Sequence, residues 1–457
     1  MSAPMKRFTQ DGEKGDINNE KRSTTHDSDF KRDAFVTWSI KNNFQMSDKV
    51  SVKREGSCAQ YGMVATEEIQ EGEVLFQIPR SCLITPDTCA IADCLKKDAE
   101  SIQGSSGWAP LLIALLYEYN NPQSHWRPYL DLVPDFKELD LPMFWPSDER
   151  KDLLQGTGVD EAVTKDLANI EKEFKEVVLP FVKKHKDKFS QVCENVEFYK
   201  KMVAFVMAYS FTEHAQQEEE DDDDEEDSGN PPPMMVPMAD ILNHIAKNNA
   251  HLNFEKEALK MVAVKDIKKG EEVYNTYGEL ANLHLLHMYG FAEEYPNNHW
   301  DTVTVAVSDI IEASKQLNFN TGDLLNKKIQ LINEMFGSDA NVVVGIDGVL
   351  EEQEMKTVLK ICCEESKEVL NELIDDGWES DDEDTSLEFK CLTSLPDSWR
   401  SVLCRCAELG LQKYRTTLTE DQEKLKSSML SSRQRYSLYT AFGQKQILQK
   451  MIDAYEV

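Results

Sequence analysis

The densest mixture of polar and apolar side chains in this sequence is the stretch Ala239-Asp240-Ile241-Leu242-Asn243-His244. Because two apolar residues separate Asp240 from the Asn243-His244 pair, the segment is expected to be at least partly buried. Buried polar groups need hydrogen-bond partners. One interpretation is that Asn243 and His244 bond to neighbouring backbone and fix a turn, since most satisfied buried polar groups serve structure. The other interpretation is that they belong to a functional site.

A second cluster of polar and aromatic residues follows along the chain. It reads Val273-Tyr274-Asn275-Thr276-Tyr277-Gly278, and His287-Met288-Tyr289-Gly290-Phe291 comes next. A tyrosine before a glycine at a strand end is common, and aromatic pairs usually pack in or around a core. Each of these motifs taken alone therefore predicts little about function.

Taken together and in this order, ADILNH, NTYGE and MYGF resemble the catalytic half of a SET-domain methyltransferase. The segment Tyr61-Gly62-Met63-Val64-Ala65 resembles the matching N-terminal half. The C-terminal part resembles the substrate-binding domain of the Rubisco large-subunit methyltransferase class, so the resemblance covers nearly everything from about Ala34 onward. It implies an α+β fold, in which a SET-domain β fold with a helical insertion is followed by an all-α substrate-binding domain.

This resemblance, with the changes of composition along the chain, predicts three regions. Residues 1–33 are polar and charged and are predicted to form a disordered leader. The SET domain is predicted over residues 34–308, with a helical insertion over about residues 90–235. That insertion contains an acidic loop, 218–233, in which the unbroken run Glu218–Asp227 predicts disorder through self-repulsion. The helical domain is predicted over residues 309–457.

Periodicity predicts the main secondary-structure elements. Two short β-type runs, 62–65 and 74–78, are separated by a turn containing Gly72, and Pro79 ends the second run. A similar sequence occurs later, where residues 267–271 precede Val273-Tyr274, and this predicts two comparable hairpins far apart in the chain. One helix is predicted to begin at Gly107-Trp108-Ala109-Pro110, and a second has an apolar face formed by Phe198, Met202, Phe205, Val206 and Tyr209. Further helices are predicted over 324–335, 355–374, 399–418 and 420–455, the last with breaks allowed and with Thr419 and Gln422 as its capping box.

The resemblance also implies roles for individual residues. It makes Tyr277 the catalytic tyrosine, and it implies S-adenosylmethionine as the methyl donor. The implied cofactor-binding residues are Ala59, Gln60, Tyr61, Tyr209, Asn243, His244 and Tyr289, and the implied lysine-channel residues are Trp108, Ser210, Thr212 and Asp240. Plain packing remains an alternative for Trp108 and Tyr209. The chain departs from the family at Gln60, where glycine is usual, and the contacts there are expected to use backbone groups.

Composition limits the classes of partner and compartment. The formal net charge of −33 disfavours direct nucleic-acid binding and fits protein partners rich in lysine or arginine. Ten cysteines without a secretory signal predict reduced thiols, and no cysteine pair has the spacing of a zinc site. The longest apolar run, Ala109 to Tyr117, is too short to predict a membrane span. Basic pairs near the start, such as Lys6-Arg7, together with the family resemblance predict a nuclear location, with a cytoplasmic location left open beside it.

Three functions stay open at this point. The first is lysine methylation of nuclear proteins, either transcription-related factors or histones. The second is a non-catalytic acidic protein that binds histones on a SET scaffold, since a fold does not prove an activity. The third is histidine methylation by the same fold. A hydrolase built on Asp240 and His244 is disfavoured because the sequence has no nucleophile elbow of the GxSxG type.

Overall fold

The computed structural model describes residues 30–58, 61–104, 106–132, 139–213, 231–319, 322–370 and 386–456. Most of the predicted leader and both acidic runs, Glu218–Asp227 and Asp375–Asp384, lie outside these residues. The chain divides into two compact units. The first comprises residues up to Asp140 together with Thr164–Gly278, and the second comprises Leu141–Val163 and Glu279–Val457. The domain boundaries given by the family resemblance stay a prediction.

Short antiparallel strands form the β part of the first unit. One sheet has four strands in the order β1-β4-β8-β7, another has three in the order β2-β3-β9, and β5 pairs with β6. The strands are β1 Gln45–Met46, β2 Val50–Lys53, β3 Gly62–Ala65, β4 Val74–Pro79, β5 Ser210–Phe211, β6 Met234–Met235, β7 Ala250–Phe254, β8 Ala258–Ala263 and β9 Glu272–Val273.

The predicted hairpins are wrong, although the strands themselves and the end of β4 at Pro79 are confirmed. Strand β3 pairs with β2 and β9, whereas β4 pairs with β1 and β8. The segment that contains β3 and β4 therefore pairs with the segment that contains β8 and β9. Ile69 lies between β3 and β4, Ile267 lies between β8 and β9, and the two residues exchange two backbone hydrogen bonds, each of 2.9 Å. The connection over residues 66–73 is longer than the loops of about two to five residues that favour local hairpins, so each segment places its two strands in different sheets.

Helices surround these sheets. The helix expected at Gly107–Pro110 is confirmed as Ala109–Asn120, with proline in its first turn. In the helix Val196–Tyr209, every residue from Met202 to Ala208 is buried, so the expected single apolar face is wrong for its C-terminal half. The other helices here are residues 30–41, Ala92–Lys97 and Arg127–Leu130. The helix Val159–Glu173 crosses the division at residues 163 and 164 and continues through a π-helical turn, Phe174–Val178, into Leu179–Lys184.

The second unit is mainly helical around an apolar core that includes the fully buried Val344, Leu359 and Ile447. One element departs from the all-helical expectation: strand β10, Thr302–Ala306, pairs with strand β11, Asn341–Gly345. The helices are Ser147–Leu154, Asn282–Tyr289, Val307–Gln316, Gly322–Phe336, Glu352–Cys363, Asp397–Leu411, Leu418–Leu425 and Ser432–Glu456.

Two predicted helices end early. The one expected over 355–374 ends at Cys363, where Glu364 Oε1 accepts the Ser366 N–H at 2.6 Å and a new helical turn begins at residues 367–370. The one expected over 399–418 ends at Leu411, directly after Gly410, a residue that weakens helices. The last predicted helix is interrupted between Leu425 and Ser432.

The capping box also differs from the prediction. Thr417, not Thr419, caps the helix Leu418–Leu425, and the Glu420 side chain accepts from the Thr417 N–H at 2.8 Å. Both threonines precede an acid or amide by three residues. The Glu420 carboxylate is the better partner because its negative charge is favoured at a helix N-terminus, and these hydrogen bonds hold the pKa of Glu420 below its usual value.

Thr417→Ala should therefore lower the free energy of unfolding by about 1 kcal/mol, the usual cost of a lost N-cap. Thr419→Ala is the matched control, since Thr419 is exposed and alanine suits a helix. Chemical unfolding of the two variants measures the difference. Equal destabilisation by both would contradict the assignment of the cap.

Candidate functional site

A buried carboxylate, Glu272 on β9, joins two distant parts of the chain. Its Oε2 accepts the Cys58 N–H at 2.6 Å, and its Oε1 accepts the Ser57 hydroxyl at 3.1 Å. Oε1 also accepts the amide of Asn243 at 2.6 Å. The loop before β3 and the ADILNH segment are thus held against the same side chain.

Gly62 leaves the space that this arrangement needs. A Cβ atom at position 62 would lie 2.4 Å from Ser57 Oγ and 2.5 Å from Glu272 Oε1. Atoms cannot approach so closely without displacement, so any larger residue would push the loop and the carboxylate apart. Glycine is therefore required here for close packing.

The amide nitrogen of Asn243 serves the protein itself. Nδ2 lies 3.1 Å from both Ser57 Oγ and the Tyr61 carbonyl oxygen, in addition to its bond to Glu272. The backbone carbonyl of Asn243 accepts from the backbone N–H of Asn275 at 3.0 Å. All of these partners lie far from Asn243 in sequence. The interpretation that Asn243 bonds to neighbouring backbone and fixes a turn is therefore wrong. Cofactor binding by Asn243 stays a prediction.

His244 and Tyr277 lie together. The Tyr277 N–H donates to His244 Nδ1 at 2.9 Å, and the ring centroids are 5.0 Å apart. Burial lowers the pKa of His244 to about 4. The imidazole is therefore neutral near pH 7, and because Nδ1 accepts, its hydrogen is on Nε2. The Tyr277 hydroxyl donates to the Leu242 carbonyl at 3.1 Å, so both ends of this tyrosine are fixed by the ADILNH segment.

The expected lysine-channel residues come from the helical insertion and from the ADILNH turn. Trp108 precedes the helix Ala109–Asn120, and its backbone N–H donates to Ser106 Oγ at 3.1 Å. The Ser106 hydroxyl donates in turn to the buried Glu173 at 2.6 Å. Asp240 accepts a hydrogen bond from Tyr129, and burial raises the pKa of Asp240 to about 7.

The other expected residues are placed as follows. Tyr209 ends the helix Val196–Tyr209, and Ser210 follows it on β5, opposite Met235. Thr212 is exposed directly after β5. Tyr289, the last residue of the helix Asn282–Tyr289, belongs to the second unit, and burial raises its pKa to about 12. Ala59 and Gln60 lie outside the described residues. All of these roles stay predictions.

Sequence reasoning missed Glu272, Ser57, Cys58, Tyr129 and Glu173. Glu272 stands beside Glu271 in a charged turn, and nothing in that pattern distinguishes the buried carboxylate from the exposed one. Tyr129 lies in an apolar context that is typical of a core aromatic. Nothing in the local sequence identifies partners such as these, because they lie far away along the chain.

Three further properties of the described residues bear on function. Within the described residues, no group of three or more potential ligands is placed to hold a metal ion. Among the helices that the structure describes, none combines the length and the apolar character needed to cross a membrane. All ten cysteines are free thiols.

Two family models match the chain. The model described as SET domain matches residues 60–278, and the model described as Rubisco LSMT substrate-binding matches residues 320–448. The first match ends at Gly278, directly after Tyr277. The second falls within the mainly helical second unit.

Curated relatives match over nearly the whole chain. N-lysine methyltransferase setd6 of Xenopus tropicalis is 44% identical over 430 residues, which cover 92% of this chain and 94% of that protein. N-lysine methyltransferase SETD6 of Homo sapiens is 44% identical over 420 residues, which cover 89% of this chain and 86% of that protein.

Solved structures support the same fold. A structure of Rubisco LSMT bound to AdoMet aligns with a TM-score of 0.63 and 18% identity, covering 93% of this chain and 91% of that one. A structure of the SET domain of LSMT bound to lysine and AdoHcy aligns with the same score and coverage. At this identity the likeness concerns the fold, and it confirms the α+β class expected from the sequence.

Proposed function

The chain belongs to the family of SET-domain N-lysine methyltransferases, and on that premise we propose that it methylates lysines of nuclear proteins, either transcription-related factors or histones. Protein-lysine methylation with S-adenosylmethionine as the donor follows from the family. The nuclear substrates and a nuclear location are the finer part of the proposal. The observation that carries the activity is the double anchoring of Tyr277 by His244 and Leu242.

The residues present fit this cofactor. Tyr61, Asn243 and His244 lie on two chain segments that are joined through Asn243 and the carboxylate of Glu272. S-adenosylmethionine supplies an electrophilic methyl group on a sulfonium centre. The protein must then present the acceptor nitrogen in line and keep water out, because alignment supplies a large share of the acceleration.

The acceptor amine must lose its proton before it can react. Free lysine has a pKa of about 10.4, and a site of low polarity disfavours its ammonium form. Tyr277 is suited to orient the amine, since its backbone N–H is held by His244 and its hydroxyl by the Leu242 carbonyl of the ADILNH segment. The neutral His244 adds no positive charge that would repel an incoming lysine.

The charge of the chain supports basic protein substrates. A net charge of −33 attracts lysine- and arginine-rich segments over long distances, and this attraction weakens with salt. The acidic run Glu218–Asp227 lies next in sequence to the expected channel residues Ser210 and Thr212. Steering by this run is one possibility, and a passive solvated insertion is the other. Deleting residues 218–227 separates them: an unchanged salt dependence of the substrate KM would exclude steering.

Transfer of labelled methyl groups to fractionated cell proteins tests the nuclear proposal. Acceptor proteins from nuclear and cytosolic fractions are incubated with the wild-type chain and, as control, with Tyr277→Phe. We expect the label that is present with the wild-type chain and lost with Tyr277→Phe to lie mainly on basic nuclear proteins. Label confined to the cytosolic fraction would contradict the nuclear part of the proposal and leave lysine methylation in place.

The two alternatives have distinct signatures. A non-catalytic histone-binding protein would bind basic tails without transferring a methyl group. A histidine methyltransferase would place the label on imidazole nitrogen. The joint presence of Asn243, His244, Tyr277 and Tyr289 favours catalysis, because a degenerate site has no need for all four.

A further inference from the structure

Tyr129 contacts the candidate lysine site from the helical insertion. It lies in the short helix Arg127–Leu130 and is 3% exposed. Its hydroxyl donates a short hydrogen bond to Oδ2 of Asp240. Asp240 is an expected lysine-channel residue, whereas neither the sequence motifs nor the family resemblance gives Tyr129 a role.

The second carboxylate oxygen of Asp240, Oδ1, differs from Oδ2 in its hydrogen bonding. Oδ1 is buried and has no hydrogen-bond partner among the residues that the structure describes. Buried polar atoms without a partner are rare, so each one calls for an explanation. The residue as a whole is half-buried, so Asp240 lies close to the surface although its Oδ1 is enclosed. An acceptor of this kind suits a donor that the protein itself does not supply.

The turn that carries Asp240 is held in an unusual conformation. Met238, two residues earlier, has a φ of +85°, which residues other than glycine seldom adopt. Such backbone strain clusters at functional sites. Two residues after Asp240, the Leu242 carbonyl accepts the hydroxyl of Tyr277. One short segment therefore carries both the carboxylate and the anchor of the candidate catalytic tyrosine.

The groups around the pair are mostly apolar. The ring of Phe35 packs against Tyr129 at 6.2 Å, and that of Phe205 at 6.3 Å. Tyr209, from the same helix as Phe205, is the further titratable group that acts on Tyr129. Burial raises the pKa of Asp240 to about 7, and the hydrogen bond from Tyr129 opposes that rise most, followed by the backbone N–H groups of Asp240 and Met238.

We propose that Tyr129 is a positioning residue of the lysine site, whose hydroxyl fixes Oδ2 of Asp240 so that Oδ1 receives the side-chain ammonium of the target lysine as it enters, before the amine loses its proton and reacts. This inference rests on the proposed lysine methylation. A carboxylate and an ammonium form a charge-assisted hydrogen bond, which is stronger than one between neutral groups. The hydroxyl of Tyr129 has a second effect, since it stabilises the charged carboxylate that this pairing needs.

The sign of the pH dependence follows from this pair. Asp240 attracts a cationic lysine only when ionised, which is the state above its pKa. Removing the Tyr129 hydroxyl removes a bond that favours the ionised form, so the pKa of Asp240 rises. Binding of the lysine substrate should then need a higher pH.

Tyr129→Phe tests the proposal, because it keeps the ring and removes the hydroxyl. The matched control is Tyr414→Phe in the second unit, where another buried tyrosine donates to Gln444 Oε1 at 3.0 Å. We expect the acid limb of kcat/KM for a lysine peptide to move up by about one pH unit in Tyr129→Phe, a shift typical of a lost hydrogen bond to a charged group. The acid limb should stay in place in Tyr414→Phe and should be lost in Asp240→Asn. The KM for S-adenosylmethionine should stay unchanged in Tyr129→Phe.

A readout without turnover separates this inference from the activity. The full chain is labelled with ¹³C at aspartate carboxyl carbons, and the Asp240 signal is identified by its loss in Asp240→Asn. We expect the midpoint of its titration to be higher in Tyr129→Phe than in the wild type. The proposal would be overturned if the Asp240 titration midpoint were the same in Tyr129→Phe and in the wild type. It would also be overturned if Tyr129→Phe only lost stability, as Tyr414→Phe does, and kept the acid limb of kcat/KM in place. Absence of methyl transfer to any lysine would sink the proposed function, and with it the role of Tyr129 in binding lysine, whatever the titration shows.

Discussion

Tyr277→Phe is expected to lower kcat by about 10²- to 10³-fold, the usual cost of removing one well-placed polar group from a reaction centre. The ring should keep its place, because the backbone N–H of residue 277 still donates to His244 Nδ1 at 2.9 Å and the two rings still pack. The hydroxyl alone is lost. Steady-state methyl transfer at saturating S-adenosylmethionine measures the effect.

Two controls make this result specific. Binding of S-adenosylmethionine, measured by calorimetry, should change little in Tyr277→Phe. Tyr414→Phe removes a buried hydroxyl in the second unit and should leave kcat within about twofold of wild type, since surrounding structure tolerates the loss of one hydrogen bond. A full rate in Tyr277→Phe would contradict the role assigned to this tyrosine.

Glu272→Gln is expected to raise the KM for S-adenosylmethionine by about tenfold or more and to lower the free energy of unfolding by about 1–3 kcal/mol. Three donors, from Cys58, Ser57 and Asn243, converge on the two carboxylate oxygens. A glutamine has one acceptor oxygen, so at least one of these donors must face an NH₂ group. The loop before β3 should then lose the part of its attachment to Asn243 that runs through the carboxylate, and only the direct bonds of Asn243 to Ser57 and Tyr61 remain.

Glu271→Gln is the matched control for this variant. Glu271 is exposed, and its side chain accepts the Lys268 N–H at 3.0 Å, which a glutamine oxygen can replace. Its KM and its stability should stay near those of the wild type. If the two variants behaved alike, or if Glu272→Gln kept a normal KM for the cofactor, the loop would not depend on Glu272.

The elements most accessible from the sequence were those set by local pattern. The apolar pair Ile241-Leu242 indicated burial of the ADILNH segment, and His244 is indeed only 5% exposed. Proline in the first turn located the helix Ala109–Asn120. Local pattern also placed strands β3 and β4 correctly, because apolar runs bounded by turn residues are typical of strands.

Pairing between distant segments was not accessible. The rule that neighbouring strands form hairpins predicted that β3 and β4 pair with each other. Instead β3 pairs with β2 and β4 with β1, and their other partners, β9 and β8, lie about two hundred residues later in the chain. The same limit hid Glu272 and Tyr129. Each looks ordinary in its own segment and gains its meaning only from Asn243 and Asp240, respectively.

The central claim is that this chain transfers a methyl group from S-adenosylmethionine to lysine. The most direct test incubates it with labelled cofactor and a panel of basic nuclear proteins, then identifies the labelled amino acid after complete hydrolysis. We predict N-methyl-lysine in the wild-type reaction. Label on histidine would indicate the histidine methyltransferase, and a chain that binds basic tails but no S-adenosylmethionine would contradict the account and favour the non-catalytic binding protein.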